Sequence, residues 1–367
     1  MNKRVIFSVV VILVGLSSCK KEDKKEEAVL IPQFSLDLEK KDPTYKVIAS
    51  SSDRIAEPWD IDFHTQRDNE LWVVNKGTDQ SGGTTVTLFN AGLEDQVSDF
   101  RKDANSWHFM ALPAALAFSK ENGNWATVED ILDANRRGGS FTGPALWSSD
   151  MLIYARPSGG NGSHLDMLHG SPYSMGIEND KDNAFWVFDG FHEEITWYDF
   201  VKDHGPGNSD HDDGVIKRYS NVKVKRKVGV PSHMVKDPNS DWLYIVDAGN
   251  NRILRMNTGD TRIIKGLPKA FPENNETLAK HEEWEASFEV FMEEGFDSPA
   301  GIEISGKTLF VSDHSNGDII AYDTETGKEL DRLKTGTAGI MGIVVGPDNK
   351  LWFANASTSE IIRIDPN

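Results

Sequence analysis

Six short apolar runs recur along this chain, and each closes on an acid or an amide: LWVVN at Asn75, WATVE at Glu129, FWVFD at Asp189, LYIVD at Asp247, LFVSD at Asp313 and LWFAN at Asn355. Their length and their aromatic and β-branched content are those of buried strands. A second column stands upstream, where Pro58-Trp59-Asp60-Ile61, Pro113-Ala114-Ala115-Leu116, Ser174-Met175-Gly176-Ile177, Pro231-Ser232-His233-Met234, Pro299-Ala300-Gly301-Ile302 and Ile340-Met341-Gly342-Ile343 align. From the third residue of each quartet to the closing acid or amide is 12 to 15 residues. Two registers that stay in step mark six copies of one supersecondary unit.

Each unit reads as a strand, a turn rich in Asp, Asn or Gly, the strand that ends at the column, and a third strand such as Ile195-Thr196-Trp197-Tyr198. Several units add a fourth run, for example Val222-Lys223-Val224. Repeated four-stranded antiparallel sheets around an axis protect their edges by radial closure. The expected fold class is therefore all-β, a six-bladed β-propeller of four-stranded antiparallel blades over residues 45–367. The last unit stops after its third strand, and Tyr45-Lys46-Val47-Ile48-Ala49 has no partner, so the N-terminal strand is expected to join the last blade and close the ring. The long segment from Lys265 to Phe296 looks helical around Leu278 to Glu285.

The unit from Val230 to Arg255 resembles the NHL repeat in its Pro231 start and its Asp247-x-x-Asn250-x-Arg252-Ile253 core. The unit from Ser298 to Asp323 resembles it more loosely, and Gly190-Phe191-His192 and Ala356-Ser357-Thr358 depart from the pattern. The resemblance implies an NHL-type propeller, and fold of this kind does not fix function.

Residues 1–18 have the pattern of a secretory signal: Lys3 and Arg4, then an apolar run from Val5 to Leu16 that is too short to span a bilayer. Leu16-Ser17-Ser18-Cys19 resembles a bacterial lipobox, which implies cleavage before Cys19 and lipidation on it. Residues 19–44 are then a charged, flexible tether, and Lys21-Glu22-Asp23 is similar to the export tag of Bacteroidetes surface lipoproteins. The expected location is the outer membrane through the lipid anchor alone, either surface-exposed or periplasmic. Cys19 is the only cysteine, so no disulfide braces the fold. A formal net charge of −19, spread along the chain, excludes nucleic acid as a partner.

In such a propeller the first strand of each blade lines the axis, and its start shares a face with the end of the second strand. That mouth is expected to gather Asp60 and His233, the column, and the incoming stretch that holds His164, Asp166 and His169. His192 and His314, in the loops after Asp189 and Asp313, complete the set of candidate metal ligands, because imidazole with a nearby acid suits Zn²⁺. Peptidylglycine amidating lyases are similar six-bladed propellers with an axial zinc held by three histidines, and by blade position the likeness falls on His169, His233 and His314. For catalysis, Asp60 or Asp189 is the candidate base, and Arg136 or Arg137, in the insertion 131–144, the anion clamp of a lyase or lactonase-type hydrolase. Asp247 and Asp313 read better as turn caps, and Asp189, before Gly190, follows the same logic. The stretch Asp203–Gly214 reads either as a solvated loop or as oxygen ligands for Ca²⁺. The expected partner is a small molecule, peptide or glycan end at the axial mouth, and the competing reading is a non-catalytic scaffold that docks another protein.

Overall fold

The computed structural model describes residues 42–156, 160–208, 210–271 and 276–365. Residues 1–41, where the sequence pattern led to the expectation of a signal segment, a lipidated Cys19 and most of a tether, lie outside them. Proline opens three of the first strands, where its missing N–H costs no ladder bond. The first sheet orders Pro58–Phe63, Leu71–Thr78, Gly82–Phe89 and Val97–Arg101, and the second Pro113–Phe118, Trp125–Glu129, Ala145–Trp147 and Asp166–Met167. Two more sheets of the same kind close the sequence: Pro299–Ser305, Thr308–Asp313, Asp318–Asp323 and Glu329–Lys334, then Ile340–Val345, Leu351–Asn355 and Glu360–Asp365. On the outer edge of the last lies Thr44–Ala49, antiparallel to Glu360–Asp365, with Tyr45 opposite Ile364 and Val47 opposite Ile362. The N-terminal strand thus completes the last sheet.

Between these lies an eight-stranded sheet rather than two separate four-stranded ones. One half is Ile177–Lys181, Ala184–Asp189, Glu194–Asp199 and Val215–Lys223; the other is Met234–Lys236, Trp242–Asp247, Arg252–Gly266 and Lys280–Met292. The halves join through parallel pairing of Val215 to Tyr219 with Lys280 to Trp284. This corrects the helical expectation around Leu278 to Glu285. Lys280–Met292 satisfies its backbone on both edges, against Val215–Lys223 on one side and Arg252–Gly266 on the other, and two rows of ladder bonds outweigh the weak helix preference of its Lys and Glu residues.

The first strands of successive sheets pack side by side in a cycle: Pro58–Phe63, Pro113–Phe118, Ile177–Lys181, Met234–Lys236, Pro299–Ser305 and Ile340–Val345, which returns to Pro58–Phe63. The chain is an all-β propeller with four-stranded blades. Apolar faces interleave between neighbouring sheets: Val73 and Val86 pack with Trp352 and Ile361, and Phe310 and Ile319 with Phe353 and Ile362.

The column of acids and amides performs one structural task repeatedly. Each side chain is buried and fastens the segment that leads into its own sheet. Asn75 Oδ1 accepts from the Ala56 N–H at 3.0 Å, Glu129 Oε1 from Ala111 at 2.7 Å and Asp247 Oδ1 from Lys225 at 2.7 Å. Asp313 Oδ2 accepts from Asp297 and Ser298 at 2.6 and 3.0 Å, and Asn355 Nδ2 donates to the Ala338 carbonyl at 3.1 Å. Asp189 does the same through an intermediary: Arg218 donates to Asp189 Oδ2 at 3.1 Å and to the Gly170 carbonyl at 2.5 Å. The incoming segments would otherwise leave buried backbone groups unpaired.

Candidate functional site

The inner strands enclose an axial cavity of about 310 Å³. Residues two apart on a strand share a face, so Asp60 and Asp62 both reach it from Pro58–Phe63, joined by Glu178, His233, Glu303 and Lys236. Thr65, Lys120 and Pro238, which follow the ends of first strands, also line it. The cavity therefore lies toward the C-terminal ends of the inner strands, away from the column. Sequence reasoning placed Asp60 and His233 on one mouth with the column, whereas they form the inner reach of this cavity.

Aligning the six first strands exposes a pattern. The position after Ile61, Leu116, Ile177, Met234, Ile302 and Ile343 is Asp62, Ala117, Glu178, Val235, Glu303 and Val344, so acid and apolar residues alternate around the axis. Burial, the largest cause, pushes the Asp62 carboxyl up to about 7 and that of Glu303 to about 8. Glu178 rises to about 7 for the same reason, against the pull of the Lys120 ammonium, whose Nζ lies 3.9 Å from Glu178 Oε1. Like charge adds to burial: Asp60 raises Asp62, Asp62 raises Glu178, and Asp62 and Glu178 together raise Glu303. Asp60 is also pushed up by burial, to about 8, although its carboxylate accepts the N–H groups of Leu116 and Ile61, each at 2.9 Å. His233 goes the other way, to about 4, again by burial. Lys236 is already committed to Asp180 Oδ1 at 2.5 Å. The cavity thus has more acid than available cation.

The remaining expected site residues divide over separate places. Asp189 accepts the N–H groups of Phe191 and His192 on Oδ1 and the His192 ring and Arg218 on Oδ2. With every lone pair engaged, it is a turn cap and ion-pair partner. Asp189, His192 and Glu194 are spaced for a metal ion, but the Arg218 guanidinium, 3.1 and 3.2 Å from Asp189 and Glu194, occupies the place a cation would take. His314 Nδ1 lies 3.3 Å from the Ile340 carbonyl, and burial lowers its pKa. Arg136 stands over the Trp107 ring at 5.6 Å, in a turn whose Asp133 carboxylate accepts four backbone N–H groups, including that of Arg137. Both arginines are exposed there, not at the axis. Among the described residues, no metal-sized grouping joins His169, His233 and His314.

His164, Asp166 and His169 are brought together, and with residues that sequence reasoning had set apart. The Phe109 ring stacks on His164 at 3.6 Å between centroids, and the Phe141 ring meets His169 at a tilt, at 3.7 Å. Residues 203–208 and 210–214 fold against the same stretch, with His211 beside His169 and His204 beside Asp166. His108, Phe109, Phe141, Asn161, Met167, His169 and His211 line a second cavity of about 230 Å³ there. Sequence reasoning missed Asp62, Glu178 and Glu303, whose one signal was a charge inside a first strand. His204 and Asp213 lie in the stretch Asp203–Gly214, which the sequence marked as a solvated loop or Ca²⁺ ligands, but nothing in the sequence paired them with Asp166.

No protein-family model matches the chain, and no curated protein matches it in sequence. Among solved structures it is similar to an auxiliary nutrient binding protein from Bacteroides ovatus, at 11% identity over 89% of this chain and 77% of that one, with a TM-score of 0.56. It is also similar to a luciferin-regenerating enzyme, at 12% identity over 88% of this chain and 95% of that one, with a TM-score of 0.54. A streptogramin B lyase gives 12% identity over 89% and 98% of the two chains, with a TM-score of 0.50. At such identities the likeness is one of fold, and it agrees with the all-β propeller described above.

Proposed function

We propose that the protein is an exported, lipid-anchored, six-bladed NHL-type propeller whose axial cavity binds the cationic end of a small molecule or peptide. The observation that carries this is the alternation of Asp62, Glu178 and Glu303 around the axis beside Asp60, in a cavity of about 310 Å³. Buried acids with raised pKa values are unsatisfied as anions, and a ligand ammonium supplies the charge that lets them ionise. Their oxygens do not form one of the metal-sized groups among the described residues, which favours an ammonium over a bare metal ion. Solved propellers of similar fold include nutrient binding proteins, in keeping with a binding role.

The six-blade count is supported by the cycle of six first strands, with the halves of the eight-stranded sheet counted as two blades. The NHL reading is supported by Asp247, which accepts from Asn250 at 2.9 Å and from Arg252 at 2.7 Å, so the three polar positions of the motif act as one unit. For residues 1–18 as signal peptide, Cys19 as lipidation site and 19–44 as tether, the support is the sequence pattern. Cys19→Ala should release the protein from membranes, and protease treatment of intact cells separates surface display from a periplasmic location.

Calorimetric titration of a soluble form starting at Lys20 with amines, peptides and neutral sugars tests the binding reading. Binding confined to amine-bearing ligands and lost in Glu303→Gln supports it. Binding of neutral sugars alone, or amine binding unchanged in that variant, overturns it, and capture of a protein partner with no small-molecule binding favours the scaffold. Catalysis is the second reading, carried by the Asp60 and His233 pair within the cavity. It requires turnover that is lost in both Asp60→Asn and His233→Gln.

A further inference from the structure

The loop 203–214 is fastened to the edge of the second sheet: the Gly207 N–H donates to the His164 carbonyl at 2.8 Å. This brings His204 Nε2 to 3.1 Å from Asp213 Oδ1 and 4.0 Å from Asp166 Oδ2, and donor atoms of the three residues all lie within 4.8 Å of one another. Asp166 is fully buried. Its Oδ1 accepts the Met167 N–H at 2.7 Å and faces His211 Nδ1 at 3.3 Å, but Oδ2, on the side of His204, has no hydrogen-bond partner. Asp213 Oδ2 is likewise buried without one. A buried carboxylate oxygen without a donor is costly unless something else meets it.

The geometry points to a divalent transition-metal site, suited to zinc, formed by Asp166, His204 and Asp213, which pins the loop 203–214 to the second sheet. Metal bonds of about 2.1 Å in a tetrahedral site set ligand atoms about 3.4 Å apart, and the separations of 3.1 and 4.0 Å bracket that value. One imidazole with two carboxylates suits zinc or manganese, whereas calcium takes six to eight oxygens. Three protein ligands leave one position open to water or a ligand. His211, against the other oxygen of Asp166, is a positioning residue that orients the carboxylate.

Zinc titration of the metal-stripped protein, followed by calorimetry and thermal unfolding, tests the site. One equivalent per chain should bind and raise the melting temperature. Asp166→Asn and His204→Ala should each weaken binding by about 100-fold or more, beyond the usual loss on removing an outer partner of a ligand. The axial variant Asp62→Asn should leave zinc binding unchanged. Absence of stoichiometric binding, its persistence in both site variants, or its loss in Asp62→Asn overturns the proposal, as does a preference for calcium over zinc. Limited proteolysis of the unmutated protein gives a readout that does not depend on the variants folding. Zinc should slow cleavage within 203–214, and an unchanged rate counts against the site.

Discussion

His233 Nδ1 stands 3.6 Å from Asp60 Oδ1 while His233 Nε2 donates to the Ala114 carbonyl at 3.1 Å. The second contact assigns the ring proton to Nε2, so Nδ1 turns its lone pair toward the carboxyl. Burial disfavours charge on both groups, placing Asp60 near 8 and His233 near 4, and the pair is neutral through the physiological range with its proton on the acid. Nitrogen-detected NMR should find His233 neutral down to about pH 5. A midpoint near that of a free imidazole would refute this assignment.

The axial acids make stability depend on pH in an unusual direction. Asp60, Asp62, Glu178 and Glu303 have folded pKa values of about 7 to 8, above their ordinary values of 3.8 and 4.5. Between about pH 4 and pH 8 the folded protein therefore holds more protons than the unfolded chain, and stability falls as pH rises through that window. Thermal melts should show a lower transition at pH 9 than at pH 6, with much of the drop removed in an Asp62→Asn, Glu303→Gln double variant. An amine ligand should show the opposite trend, binding more tightly as pH rises from 6 to 8. Equal pH slopes in the wild-type and double-variant proteins would count against the axial ring.

Arg218 is the hub of a buried network that reaches Asp189, Glu194, the Gly170 carbonyl and His281 Nε2. Arg218→Met leaves two buried carboxylates without their cation. The expected loss is about 3–5 kcal/mol in urea unfolding. Arg218→Lys should recover only part of it, because one ammonium cannot serve four acceptors set by a planar fork.

Deleting residues 42–49 removes the outer strand of the last sheet and exposes Ile362 and Ile364, both buried. A fall in melting temperature of about 10 °C or more is expected, since an open ring presents an unpaired edge. An unchanged transition would show that the N-terminal strand does not brace the ring.

Asp247→Ala should cost about 2–4 kcal/mol, because the Lys225 N–H, Asn250 and Arg252 all lose one acceptor. Asn250→Ala removes one bond of that set and should cost about 1 kcal/mol. A double-mutant cycle between them, measured by denaturant unfolding, should be non-additive.

The repeat was readable because each copy must bury the same strands and fasten the same incoming segment, so chemistry recurs at fixed spacing. Asn75, Glu129, Asp247, Asp313 and Asn355 recur for that reason, and the closing role of Tyr45 to Ala49 followed from counting strands. The axial ring was half legible. Asp60 and His233 broke the pattern of their column, whereas Asp62, Glu178 and Glu303 form a pattern only when six strands are laid around one axis.

The amino-acid sequence alone determined the all-β repeat, its register and the residues that hold each sheet to its incoming chain, since these depend on local spacing and periodic burial. Tertiary structure alone decided that Lys280–Met292 is a strand, because its partners lie in Val215–Lys223 and Arg252–Gly266. It also decided that Asp166 meets His204 and Asp213 across a long loop. Contacts between segments far apart in the chain obey no periodicity, and their energy exists only once the sheets have packed.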